Sequence, residues 1–148
     1  MASATRTSSA VNRVCSTLVT VVRRRTLTAM RDLVVKLTAG ADEPERCSQA
    51  FTVAATAVAA GASVSMWLTG EASWFGVPGR AESFQLEGAA PLQDLLAALL
   101  SAGTVTVCTQ CAGRRGLTVE NLVPGVRIAG AAAFVAEATA DNAQALVY

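Results

Sequence analysis

Residues 91–108 read PLQDLLAALLSAGTVTVC, and this stretch decides the fold class. Leu92, Leu95, Leu96, Leu99 and Leu100 fall on one side of a helix running from Pro91 to Ala102. Gly103 ends that helix, and Thr104-Val105-Thr106-Val107-Cys108 is a short β-branched strand. A helix that passes through a single glycine into a strand is one arm of an alternating α/β chain.

The same grammar extends in both directions. Upstream, Asp32-Leu33-Val34-Val35-Lys36-Leu37 is the first strand, and 38–42 is a turn. Pro44 suits the first turn of a helix, with Asp42 near its cap and Glu43 and Glu45 beside its positive end. Phe51, Ala54, Ala55 and Val58 give that helix an apolar stripe to about Ala60, and Gly61 closes it. Ala62 to Leu68 is the second strand, and a loop runs from Thr69 to about Gly88. Downstream come a short helix within 109–125, a strand at Val126-Arg127-Ile128, a helix from Ala131 to Thr139 and a strand from Gln144 to Tyr148. Alternation of this kind implies a three-layer α/β/α sandwich around a mainly parallel sheet of about five strands.

Composition removes whole classes of function. The 148 residues suffice for one domain, and 52% apolar content excludes disorder for most of the chain. Aromatics are only 5%, so aliphatic side chains must fill the core. The net charge of +1 hides an asymmetry: residues 1–30 carry five arginines and no acid, while 31–148 carry seven bases and eleven acids. The mildly acidic body lacks the basic face of a nucleic-acid binder. There is no histidine, which rules out Ser-His-Asp and Cys-His catalysis within one chain. Phe51–Leu68 is uncharged, but Thr52, Thr56, Ser63, Ser65 and Gly61 argue against a membrane span.

Residues 1–30 form an Arg/Ser/Thr-rich extension whose basic cluster Arg23–Arg25 follows its apolar stretch, the wrong polarity for a secretory signal. The extension reads as a disordered tail, an organelle-targeting peptide or a start codon placed too early, with Met30 directly before the first strand; the last is preferred. The domain is then 31–148, and its expected location is the cytoplasm.

The chemistry concentrates in Cys108-Thr109-Gln110-Cys111. Cys108 ends the third strand, and ligands of open α/β sheets bind beyond the carboxyl ends of the strands. A thiol near a helix start, followed by Arg114 and Arg115, has reason to ionise, and the thiolate is the nucleophile. A buried, inert role is the alternative for any cysteine, and it is the one expected for Cys47 and Cys15. Structural zinc would need four ligands, and no second CxxC exists. A thioredoxin-like oxidoreductase fits poorly, because no Trp precedes the pair and no Pro separates it. Trp74 and Phe75 are expected at a lid or, preferably, at a subunit contact.

The stretch Val107-Cys108-Thr109-Gln110-Cys111-Ala112-Gly113-Arg114-Arg115-Gly116-Leu117 resembles the cysteine loop of the DsrE/DsrF-like sulfur-relay family. Leu37 to Gly40 with Asp42 to Arg46, Val64 to Gly70, and Leu122 to Val126 agree in the same order. The resemblance covers about 31–148. It implies a homo-oligomer, a trimer or hexamer, that carries sulfane sulfur as a persulfide on Cys108. Cys111 is less regular in the family, so its role stays open. The working hypothesis is that Cys111 releases the sulfur by forming a disulfide with Cys108, that Arg114 or Arg115 stabilises the anion, and that Gly116 belongs to the same binding site. Sulfur donor and acceptor proteins are the implied partners. No cofactor or metal is implied, and the activity is that of a carrier or transferase, not of a conventional turnover enzyme. The alternative is a redox-sensing oligomer that cycles a Cys108–Cys111 disulfide.

Overall fold

The computed structural model describes residues 32–148, so the N-terminal extension and Cys15 lie outside the described residues. Five strands alternate with helices: β1 (Asp32–Leu37), α1 (Pro44–Ala59), β2 (Val64–Leu68), α2 (Leu92–Ala102), β3 (Thr104–Cys108), α3 (Thr109–Arg115), β4 (Val126–Ala129), α4 (Ala131–Ala138) and β5 (Ala143–Val147). The strands form one sheet in the order β4-β3-β2-β1-β5, and every pairing is parallel. The carboxyl ends of all five therefore lie along one edge.

Alternation along the strands divides the sheet into two faces. Val35, Leu37, Met66, Leu68, Val105 and Val107 point to one side and are buried there with Phe51 and Ala54 of α1 and Leu92, Leu96 and Leu99 of α2. This is the larger core, and aliphatic side chains fill most of it, as the low aromatic content requires. Val34, Trp67 and Thr106 point to the other side and are also buried. The short helix α4 covers that side: its Phe134 meets Trp67 edge to face at 5.4 Å. The uncharged stretch Phe51–Leu68 is thus the end of α1 followed by β2. No helix among the described residues is long and apolar enough to cross a membrane.

Two details differ from the sequence reading. Asp42 does not cap α1; its carboxylate turns back to accept the Gly40 N–H at 2.7 Å, and Glu43 stands at the cap position with its carboxylate paired to Arg46 instead of capping the helix. The expected loop after β2 opens with a 3-10 helix, Gly70–Gly76. Phe75 of that helix is not at a lid or a surface contact. It is 3% exposed and packs edge-on against Phe51 and Phe84. In a core so poor in aromatics, its ring closes the end of the α1 side.

Candidate functional site

The turns that follow β1, β2 and β3 meet at the carboxyl edge of the sheet. Cys108 is the last residue of β3 and the residue from which α3 starts, with φ −65° and ψ 130°. It is partly exposed, whereas Cys111, one turn into α3, is buried at 8% exposure. Both are free thiols, as is Cys47, and Cys47 is fully buried in the α1 core.

The three thiols differ in acidity for separable reasons. Burial pushes the Cys47 thiol up to about 12, and nearby Asp42 adds to the shift, so Cys47 is inert at neutral pH. Burial also raises Cys108, and it is the largest single influence there. The backbone N–H groups of Cys111 and Gln110, the Cys111 side chain and the charge of Lys36 together outweigh it. The Cys108 thiol is held below its ordinary value.

Lys36 carried no signal in the sequence. It pairs across β1 and β2 with Trp67, which pairs with Thr106 of β3. Cys108 lies two residues beyond Thr106, on the same face of the sheet. The Lys36 ammonium lies 5.0 Å from the centre of the Phe134 ring, which keeps it on that face.

Cys111 is held by the turn after β2. The Gly70 N–H donates to Cys111 Sγ at 3.2 Å. Gly70 itself is fixed from several sides. The Ser73 hydroxyl donates to its carbonyl at 2.8 Å, and the following Glu71 N–H donates to the Thr38 carbonyl at 3.1 Å. Its φ of +52° suits glycine, and a Cβ there would stand 2.8 Å from the Thr38 oxygen. The GEASWFG segment gave no periodic signal, yet it supplies a backbone donor to the Cys111 sulfur.

Arg115 reaches toward this turn. Its guanidinium pairs with Glu71 at 2.6 Å and lies 3.5 Å from the Cys111 carbonyl oxygen. It also faces the Trp74 ring at 5.8 Å, with Arg80 nearer the same ring at 5.0 Å. Arg115 thereby ties α3 to the segment that carries Gly70. Arg114 is exposed in the last turn of α3 and makes no side-chain bond to another described residue. Gly116 ends α3 in the left-handed conformation, φ +64°, where its N–H is bonded to the Gly113 carbonyl.

Under the second face lies a polar cluster that the sequence did not announce. Glu137 of α4 accepts from Ser65 Oγ at 2.6 Å and from the Trp67 indole N–H at 2.8 Å, and it pairs with Arg127. Arg127 Nε donates in turn to Thr106 Oγ1 at 2.7 Å. This cluster anchors α4 on the face that carries Lys36 and Cys108. Among the described residues, no three His, Cys, Asp or Glu side chains come together as a metal site.

The geometry therefore offers one acidified, reachable thiol with a second, buried thiol one helical turn away. Such a pair can accept sulfur or an oxidising equivalent on the outer residue and resolve it with the inner one. A protein-family model described as the DsrE/DsrF-like family matches residues 32–146. Among solved structures, this chain is similar to the YchN protein from E. coli, with a TM-score of 0.63 and 18% identity over 79% of this chain and 99% of that one. At that identity the likeness shows a shared fold. A search of curated proteins found no match.

Proposed function

The chain belongs to the DsrE/DsrF-like family, a family of sulfur-relay proteins, and from that membership we propose that it carries sulfane sulfur as a persulfide on Cys108. The observation that carries this reading is the contrast between the thiols: Cys108 is partly exposed and acidified, while Cys47 is sealed in the core.

The loading step needs no outside oxidant. The Cys108 thiolate attacks the terminal sulfur of a donor persulfide, R–S–SH. A Cys108 Sγ–S bond forms, the donor S–S bond breaks, and the donor leaves as the thiolate RS⁻ with the proton retained on the transferred sulfur. Direct relay repeats the exchange with an acceptor thiolate, which takes the outer sulfur and returns Cys108 to its thiolate. In the alternative exit, the Cys111 thiolate attacks the inner sulfur, hydrosulfide departs, and a Cys108–Cys111 disulfide remains. Two equivalents of an external thiol then reduce that disulfide. Arg115 acts through Glu71 on the turn that seats Cys111, while Lys36 supplies the positive charge on the face of Cys108. Arg114, exposed on α3, is available to partner proteins, and Gly116 sets the course of the chain leaving α3.

Donor and acceptor proteins are the proposed partners, and a homo-oligomeric state, trimer or hexamer, is part of the same reading. Val135 of α4 and Val147 of β5, at 54% and 67% exposure, give apolar surface that a subunit contact would cover. Free thiols suit a reducing compartment such as the cytoplasm.

Reduced protein treated with inorganic polysulfide should gain one sulfur atom on the Cys108 peptide. A Cys108→Ser variant that loads equally would refute the assignment. A second reading, a redox sensor cycling the Cys108–Cys111 disulfide, draws on the proximity of the two side chains. A thiol–disulfide titration separates them: a disulfide that cycles near the cytosolic potential in a protein that never loads sulfur favours the sensor.

A further inference from the structure

The face of the sheet that carries Cys108 is divided by charge along its length. Only two acids occur in the five strands and α4 that build it, Asp32 at the start of β1 and Glu137 of α4. Both line a groove at the amino ends of the strands, together with Ser63, Ser65 and Arg127. Glu137 is engaged there by Arg127, Ser65 and Trp67. Lys36 and Cys108 stand toward the carboxyl end of the same face. Lys36 lies over the Phe134 ring and enters none of the ion pairs among the described residues, so its charge is uncompensated. We propose that Lys36 makes this end of the face select an anionic sulfur donor, inorganic polysulfide, for Cys108. The proposal rests on the reading of Cys108 as a sulfur acceptor and names its substrate class.

The chemistry of such a donor gives an unpaired cation its use. The Cys108 thiolate attacks the protonated terminal sulfur of a hydropolysulfide, HS–Sₙ⁻. A Cys108 Sγ–S bond forms, and the adjacent S–S bond of the donor breaks. The proton stays on the transferred sulfur, and the remaining chain leaves as a polysulfide dianion one sulfur shorter. Two anions must therefore meet, and the transition state carries both charges. Like charges 4 Å apart repel by about 1 kcal/mol in water, and by more beside low-dielectric protein. A neutral donor meets no such repulsion and needs no cation.

Lys36 is placed to offset that repulsion. It is in register with Trp67 and, through Trp67, with Thr106, two residues before Cys108 on the same face. The contact with Phe134 holds its ammonium there. Burial raises the Cys108 thiol, and against it act the N–H groups of Cys111 and Gln110, the Cys111 side chain and one charge, that of Lys36. No carboxylate is among these influences. A site of one sign concentrates ligands of the other, and salt weakens the effect.

The test uses the reduced full-length protein with Lys36→Met and Lys36→Arg, and follows the Cys108 peptide by mass spectrometry. First, iodoacetate and iodoacetamide are compared at one pH. Both alkylate the same thiolate, but only iodoacetate is an anion, so the ratio of their rates does not depend on how much thiolate is present. That ratio is expected to fall about threefold or more in Lys36→Met, to hold in Lys36→Arg, and to fall in the native protein as salt rises from about 0.01 M to 1 M. A ratio unchanged in Lys36→Met, or lost equally in Lys36→Arg, overturns the proposal. Second, Cys108 loading by inorganic polysulfide is expressed relative to iodoacetamide alkylation of the same protein. It is expected to fall about threefold or more in Lys36→Met. Relative loading that does not fall overturns the donor assignment and leaves the persulfide reading intact. If polysulfide does not load the native protein, the persulfide reading falls and the donor assignment falls with it.

Discussion

Replacing Glu137 with leucine tests whether α4 is held by its polar cluster. The substitution keeps apolar bulk and removes the acceptor of three donors: Ser65, Trp67 and Arg127. Trp67 is 1% exposed, so its indole N–H cannot turn to water. An unsatisfied buried donor of that kind costs about 1–3 kcal/mol. Ser65 is only partly buried and can recover a water. Arg127 is 46% exposed at its side chain and keeps its bond to Thr106, so its ion pair is discounted to about 0–1 kcal/mol. The expected loss is about 1–4 kcal/mol, read as a lower urea midpoint by circular dichroism. A double-mutant cycle sharpens the test. Trp67→Phe removes the donor, so Glu137→Leu in that background should cost less than it does alone. Additive costs, or a loss within about 0.5 kcal/mol of zero, would refute the reasoning.

The same carboxylate sets a pH dependence. Burial raises Glu137, but the bonds from Ser65, Trp67 and Arg127 outweigh it and hold the carboxyl below its usual value. A group depressed in the folded state stabilises above its unfolded pKa and loses that contribution as pH falls through the folded one. The stability gap between the native protein and Glu137→Gln should therefore be full near neutrality. It should shrink below about pH 4, where unfolded glutamate titrates.

Other expectations concern the thiols directly. Iodoacetamide at neutral pH should modify Cys108 well before Cys47, whose thiol is pushed up to about 12; comparable rates would contradict the assigned environments. Lys36→Met should move the midpoint of the Cys108 alkylation profile to higher pH, because a charge favouring the thiolate is gone; an unmoved midpoint would remove Lys36 from the site. Gly70→Ala puts a Cβ at φ +52° and 2.8 Å from the Thr38 oxygen. It should cost at least about 1–2 kcal/mol and raise Cys111 labelling by maleimide as the Gly70 N–H withdraws; unchanged labelling would argue that the contact does not hold Cys111.

Much of the fold was legible because strands such as Thr104–Cys108 and helices such as Leu92–Ala102 have clean periods and glycine or proline at their ends. The Cys108–Cys111 pair was legible for the same reason: the strand end locates it. The 3-10 helix was not, since Gly70–Gly76 has no repeat that distinguishes it from a loop. Phe75 looked like a surface aromatic because its burial depends on Phe51 and Phe84, which are distant in sequence. Lys36 was invisible as a site residue because the placement of β1, β2 and β3 side by side is what puts it on the face of Cys108. Arg115 was singled out for its nearness in sequence to the thiols, but its ion pair with Glu71 spans 44 residues and needed the fold to appear. Glu137 lies among alanines in a short helix, and only the sheet beneath it explains its charge.

The central claim is that Cys108 bears the sulfur, and that with no acceptor thiol present the Cys111 exit releases it as hydrosulfide. Intact-mass measurement over time, on reduced protein given a limiting amount of inorganic polysulfide, tests both halves together. The account expects a species heavier by one sulfur atom to form first and then to give way to an internal disulfide with release of hydrosulfide. In Cys111→Ser the loaded species should persist, and in Cys108→Ser it should not form. A disulfide that appears without a preceding sulfur adduct, or an adduct of equal yield in Cys108→Ser, would contradict the account.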